Sequence, residues 1–248
     1  MSLIIFLSLV KECEKYKLID RKIIIWDGRF LRSNCADNEN KKLKRLSDSG
    51  AGKYKHKNRY FGVGYLDSTV ICGKYNLTIY YKTFPANRND NIIFRNTISQ
   101  YFRFYNDNKS KILIADSGPY SEQSLDLVNS YEICPLILAR KNIKKNVIKV
   151  GKRKYVNIKH VPKNMIPHLN RILNIRTKIE RQFSPAKVCY ATDKMFNRGI
   201  ENAKLAICKL KCTELLTALT ALKANRLDLI NSPSSFRDYG LKYRINCP

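Results

Sequence analysis

Two short apolar runs of this chain each end on an aspartate. Ile23 to Trp26, IIIW, is followed by Asp27, and Ile112 to Ala115, ILIA, is followed by Asp116. Runs of this length and composition read as buried strands, so each carboxylate stands at a strand tip. In an open α/β sheet, sites gather at the carboxyl ends of strands. Two neighbouring strands ending this way put two carboxylates side by side, where they repel and one would keep its proton. A divalent cation removes that conflict. Hard oxygen donors suit magnesium, which takes one or two carboxylates plus the phosphate oxygens of a substrate. The competing explanation is local, because Asp27-Gly28 and Asp116-Ser117-Gly118 are both turn sequences.

A third acid is then expected on a helix facing the strand tips. Glu180, within RTKIERQFSPAK (Arg176 to Lys187), is the candidate. At 100° per residue, Arg176, Glu180 and Lys187 fall at about 0°, 40° and 20°, one narrow stripe. Ile172, Ile175 and Ile179 form an apolar stripe beside it, through which the helix would pack. Pro185 disfavours helix at Ser184, which sets Lys187 near or past the helix end. Spacing alone also describes a solvated helix pair, worth about 0.3 kcal/mol and here in its less favourable order. The other acids have local explanations. Asp90 reads as a helix N-cap, Asp48 as a loop residue, Asp67 as part of a hairpin strand, and Glu122 as a first-turn acid. His56, His160 and His168 are scattered singly, so no Ser-His-Asp or Cys-His arrangement is suggested.

The charge balance points to the partner. Lys plus Arg total 47 against 20 acids, a net charge of +27 over 248 residues. That is the electrostatic footprint of a nucleic-acid binder, with a ribosome-like or membrane-surface protein as the alternative. None of the eight cysteines forms a CxxC pair. Reduced, mostly buried thiols of a cytosolic protein fit better than a zinc site. The apolar run Leu3 to Val10 is too short to span a bilayer and lacks the flanks of a signal peptide. It reads as a helix or strand packed on the body, or as what remains of a longer N-terminal region.

The elements that must position these residues follow from periodicity. Alternation around Phe61 to Tyr65 and Tyr75 to Tyr81, joined by a short link, predicts an antiparallel hairpin. Residues 33–58, polar and charged, read as a long loop. From Asp90, the apolar residues Ile93, Phe94, Ile98, Tyr101, Phe102 and Tyr105 predict an amphipathic helix. KILIAD is a strand, SEQSLDLVNSY a helix and ICPLILAR a strand. Residues 141–163, dense in Lys and Arg, form an inserted loop or small hairpin. A helix from about His168 to Ser184 follows, and the tail is one or two packed helices. Three strands followed by alternating helices and strands give a mixed α/β sheet flanked by helices, in the order of the RNase H-like fold. The expected organisation is a short N-terminal segment over 1–20, a main domain over 21–195 containing a basic insert at 141–165, and a helical C-terminal extension over 196–248.

Taken together, IIIWDGRFLRSN, TFPANRND and ILIADSGPYSEQSL resemble the DDE transposases of the insertion-sequence type, in the fourth insertion-sequence group. That family's signature is Tyr, two residues, Arg, three residues, Glu, six residues, Lys. Arg176, Glu180 and Lys187 match its last three members, and Leu173 stands at the tyrosine position. The resemblance implies that Asp27, Asp116 and Glu180 bind divalent metal, two ions of Mg2+ or Mn2+, for DNA strand cleavage and joining. It also implies that Arg176 and Lys187 contact DNA near the scissile end. The expected partner is double-stranded DNA, both element ends and target. The expected form is a homodimer when active, cytoplasmic and nucleoid-associated, with no membrane. Only 26 residues precede Asp27, shorter than the N-terminal region usual in the family, so a truncated copy is expected. Two rivals remain open: a non-enzymatic DNA-binding remnant, and a metal-dependent nuclease of the same fold.

Overall fold

The computed structural model describes residues 2–35, 46–56, 59–106, 109–143, 145–151, 154–176 and 198–232. Its centre is strand β1 (Ile23–Arg32), followed by β2 (Gly52–His56), β3 (Arg59–Cys72), β4 (Thr78–Pro85), β5 (Ile112–Ala115) and β6 (Cys134–Ile137). β1 pairs antiparallel with β3 and parallel with β5. β3 pairs antiparallel with β4, and β5 parallel with β6. The path β4-β3-β1-β5-β6 is the expected RNase H-like order: three antiparallel strands, then two parallel ones. The β3–β4 hairpin stands as predicted.

Two expectations need correction. Asp27 is not at the tip of β1, which continues to Arg32. The reason is non-local: β3 is long enough to pair with β1 as far as Arg32 opposite Gly64, so the antiparallel ladder runs on after the parallel one stops. The stretch 33–58 is likewise not all loop. Gly52–His56 forms β2, which pairs with the Arg59–Gly64 half of β3. Its GKYKH sequence is too polar to announce a strand by itself.

Alternation along β1 divides the core. Ile24 and Trp26 face one apolar cluster and Ile25 the other. The first face is covered by α1 (Ser2–Lys15), α2 (Asp90–Tyr105), α3 (Glu122–Asn129) and α5 (Ile200–Lys223). The apolar run near the start is therefore helix. Its Phe6, Val10 and Cys13 are fully buried, and each large side chain so placed contributes about 1.5–3 kcal/mol. In α2, the predicted Ile93, Phe94, Ile98, Tyr101 and Phe102 are buried. Its N-cap is Asn89, whose side chain accepts from the Asn91 amide, so Asp90 does not hold the role assigned to it.

The second face carries the hairpin of β7 (Val147–Val150) and β8 (Lys154–Asn157), a 3-10 turn over Lys163–His168, and α4 (Leu169–Asn174). The basic insert is thus a hairpin, tied to the sheet by a Leu138–Val156 bridge. The helix expected from His168 begins at Leu169 and gives way to a turn after Asn174. It packs through Leu169 and Leu173, while Ile172 and Ile175 are only partly buried. Of the isoleucine stripe, Ile172 and Ile175 pack at the margin of this cluster, and Ile179 lies outside the described residues. Among the described residues no helix is long and apolar enough to cross a membrane.

Candidate active site

The parallel ladder sets the geometry. It pairs Ile23 with Ile112 and runs to Trp26 with Ala115. One further step sets Asp27 beside Asp116. Neighbouring strands lie about 4.8 Å apart. Ile25 and Ile114 share the second apolar cluster. Two residues on from Ile25, the period of a strand carries Asp27 to that same side of the sheet, and Asp116 follows directly on the end of β5. They line one cavity of about 520 Å³, together with Tyr54, Asp90, Gly118 and Arg140. The Gly28 amide donates to Asp27 Oδ1 at 2.8 Å, which fixes that carboxylate beside the strand. Asp27-Gly28 lies within β1 and makes no turn, so the turn explanation does not hold at Asp27.

Asp116 has a cationic partner. Arg176 Nη2 lies 2.9 Å from its Oδ2. The turn that follows α4 thus brings the first residue of the Arg–Glu–Lys stripe onto the second aspartate. Leu173, at the position where the resemblance calls for tyrosine, is 1% exposed and belongs to the core beneath this turn. A phenol there would have to displace packed apolar atoms. Glu180 and Lys187 lie outside the described residues.

Asp90 was missed as a cavity residue. The signal was present in the strand order. β4 is antiparallel to β3, and β3 to β1, so β4 runs in the same direction as β1. A helix that starts directly after β4 must begin at the edge where Asp27 lies. A carboxylate in that first turn is also favoured by the helix dipole. Gly118 leaves room for it: a Cβ on Gly118 would come within 2.8 Å of Asp90 Oδ2. Burial pushes the Tyr54 phenol up, and the charges of Asp90 and Asp27 push it further. Tyr54 is therefore a neutral hydroxyl beside the acids.

The oxygen donors on this side of the cavity suit a hard divalent ion. Two carboxylates on adjacent strands need a cation nearby, and Arg176 supplies one to Asp116. Among the described residues, no group of three or more His, Cys, Asp or Glu is close enough to hold an ion. The metal expectation thus rests on the Asp27–Asp116 pair and on a ligand from beyond Arg176.

Asp48, Asp67 and Asp126 hold the fold together. Asp48 is 3% exposed. It accepts from Ser33 Oγ at 2.5 Å, the Tyr65 hydroxyl at 2.7 Å and the Gly199 amide at 3.2 Å. Burial opposes its ionisation, but these hydrogen bonds outweigh it and hold its carboxyl below the usual carboxylate range. Asp67 is buried against Lys211 of α5, 3.4 Å away. His160 and Lys159 both engage Asp126, pinning the basic hairpin to α3. The described cysteines are free thiols, and burial pushes Cys13 up to about 12.

A family model described as the transposase DDE domain matches residues 19–219. No curated protein matches the chain. Among solved structures, it is similar to a piggyBac transposase in a synaptic complex with hairpin DNA, at 10% identity and a TM-score of 0.48. That alignment covers 92% of this chain and 54% of the other. A Mos1 transposase paired-end complex with the left transposon end aligns at 12% identity and TM-score 0.30, over 53% of this chain and 40% of that one. A Mos1 mariner paired-end complex with Mn gives 13%, 0.29, 53% and 41%. The chain thus spans about half the length of the piggyBac chain (54%) and less of the Mos1 chains.

Proposed function

Because the chain belongs to the transposase DDE-domain family, matched over residues 19–219, we propose that it cleaves DNA strands and joins them at a new site, as the transposase of an insertion sequence. The observation that carries this reading is the register of β1 and β5. Their ladder ends on Trp26 and Ala115, and the next residue of each chain segment is an aspartate lining the same cavity.

Asp27 and Asp116, with Glu180, would hold divalent Mg2+ or Mn2+, whose Lewis acidity activates the attacking oxygen and offsets charge on the leaving oxygen. Arg176 and Lys187 would orient the phosphate backbone beside these acids without reading bases. The net charge of +27 draws duplex DNA to the surface and makes binding steeply salt-dependent. A local acidic cavity in so basic a protein is what phosphoryl transfer requires: long-range attraction for the backbone and a separate place for metal.

The test is strand nicking and strand transfer by the purified protein on element-end DNA with magnesium. Asp27→Ala, Asp116→Ala and Glu180→Ala should each lower the rate by about a thousandfold or more. Wild-type rates in Asp116→Ala would overturn the assignment. Cutting without joining would assign a nuclease, and metal-independent binding without cutting a DNA-binding remnant.

A further inference from the structure

The end of the sheet opposite the aspartates carries a second cavity, of about 570 Å³ and of opposite sign. It is lined by Lys17, Arg21, Lys22, Lys74, Lys109 and Lys111. The acids among its lining are Glu14 and Asp20. These cations come from four places in the fold: the end of α1, the residues before β1, the β3–β4 turn and the residues before β5. The turns and ladder starts fix them together. Lys111 donates its amide to the Lys22 carbonyl at 2.9 Å. Lys74 Nζ donates to the Lys17 carbonyl at 2.8 Å, with Lys17 in the left-handed region at φ 58°.

The acids do not neutralise this group. Glu14 is matched by Arg21, 2.6 Å away, whose side chain is 4% exposed and lies 4.2 Å over the Tyr105 ring. That pair makes the floor of the cavity. Asp20 Oδ1 accepts from the Lys22 amide at 2.9 Å. The five lysines that line it are all exposed, with the Lys74 ammonium held at the Lys17 carbonyl. Like charges held this close repel, and an anion with several acceptor oxygens relieves that repulsion.

We propose that this cavity binds the phosphodiester backbone of DNA, as a contact site distinct from the acidic cavity. Along β1, Lys22 and Asp27 are separated by about 16 Å of strand, at about 3.3 Å per residue. Lys22 lies just before β1, and Asp27 lies midway along it. Lysine rather than arginine dominates the opening, which suits point-charge contact with backbone and gives no base readout. The inference stands on the cavity itself and does not depend on catalysis at the acids.

The experiment uses the full chain and a duplex of arbitrary sequence, with affinity measured across a salt series. Neutralising Lys22 and Lys111 together (K22Q/K111Q) should weaken binding and reduce the slope of log affinity against log salt by about 2. A control pair on the exposed side of α5, K209Q/K223Q, should leave the slope nearly unchanged. Equal slopes for the two double variants would overturn the proposal, since the effect would then be net charge alone. A free-phosphate site would instead appear as inorganic phosphate binding that K22Q/K111Q abolishes while the duplex slope stays at its wild-type value. That outcome also overturns the strand assignment. Thermal melts of both variants check that the exposed substitutions leave the fold intact.

Discussion

Arg176 and Asp116 meet at 2.9 Å, and the pair governs what else Asp116 can bind. An arginine at this distance neutralises a carboxylate and competes with any cation for it. Its removal should therefore strengthen divalent binding, even though it removes a residue proposed to hold DNA. The Asp116 side chain is 49% exposed, so solvent screening keeps the effect near the aqueous limit of about 1 kcal/mol. Arg176→Met should raise manganese affinity about fivefold in calorimetric titration while weakening duplex binding. A fall in both would mean that Arg176 builds the site rather than competing for it. Asp48 offers a pH test of a different kind. Its carboxyl is held below the ordinary value of 3.8. The stabilisation it gives is thus fully present above that value and is lost as pH falls through the depressed one. Asp48→Asn should cost about 2 kcal/mol at neutral pH, the size expected for hydrogen bonds to a charged group. The gap to wild type should narrow as pH falls below 3.8 and close once pH has passed the depressed value, which urea unfolding at several pH values would measure.

Helix α5 is fastened to the sheet by a buried charge. Lys211 is 2% exposed and Asp67 1%, and Thr69 Oγ1 donates to the other carboxylate oxygen at 2.9 Å. Arg29 stands opposite Asp67 in the β1–β3 register. Lys211→Ala leaves Asp67 without that ammonium in a water-poor place and should cost about 3–5 kcal/mol. The double variant K211M/D67L, with apolar groups of similar size, should recover much of that loss in urea unfolding. A double variant no better than the single one would show that Asp67 is needed by other partners. This pair could not be read from the sequence, where Asp67 looked like a hairpin acid and nothing singled out Lys211. What the sequence did carry was periodicity. The spacing of Ile93, Phe94, Ile98, Tyr101 and Phe102 specified α2, and the apolar runs at Ile23 and Ile112 specified two neighbouring strands. What it lacked was pairing. β1 outruns its apolar stretch because β3 is there to receive it, and β2 exists only as the partner of β3. Asp90 reached the cavity because the direction of β4 decides where α2 begins. In the site itself, type and position singled out Asp27 and Asp116, which line one cavity, and spacing singled out Arg176, which pairs with Asp116. Leu173 was read only as a departure from a pattern, and its burial supplies the physical reason.

Across the whole molecule, opposite signs sit at opposite ends of one sheet, within a chain of net charge +27. DNA approaching the acidic end without metal meets the carboxylates of Asp27, Asp90 and Asp116, and the basic surface must overcome them. Removing two of those charges should strengthen metal-free duplex binding, by about 1 kcal/mol for each charge close to a phosphate in water. In chelator, D27N/D116N should accordingly bind duplex up to about thirtyfold more tightly than wild type. Adding magnesium separates a metal site from mere repulsion. Magnesium in solution competes with the protein for phosphates, so it weakens a purely electrostatic binder. An ion held by the aspartates reverses the local sign and acts the other way. Fluorescence anisotropy at constant ionic strength should show wild-type affinity rising with magnesium and D27N/D116N affinity falling. If both fall together, the acidic cavity holds no metal under these conditions and the aspartates act only as a barrier to the backbone. Because binding is read without any cleavage, the result holds whether or not the chain cuts DNA.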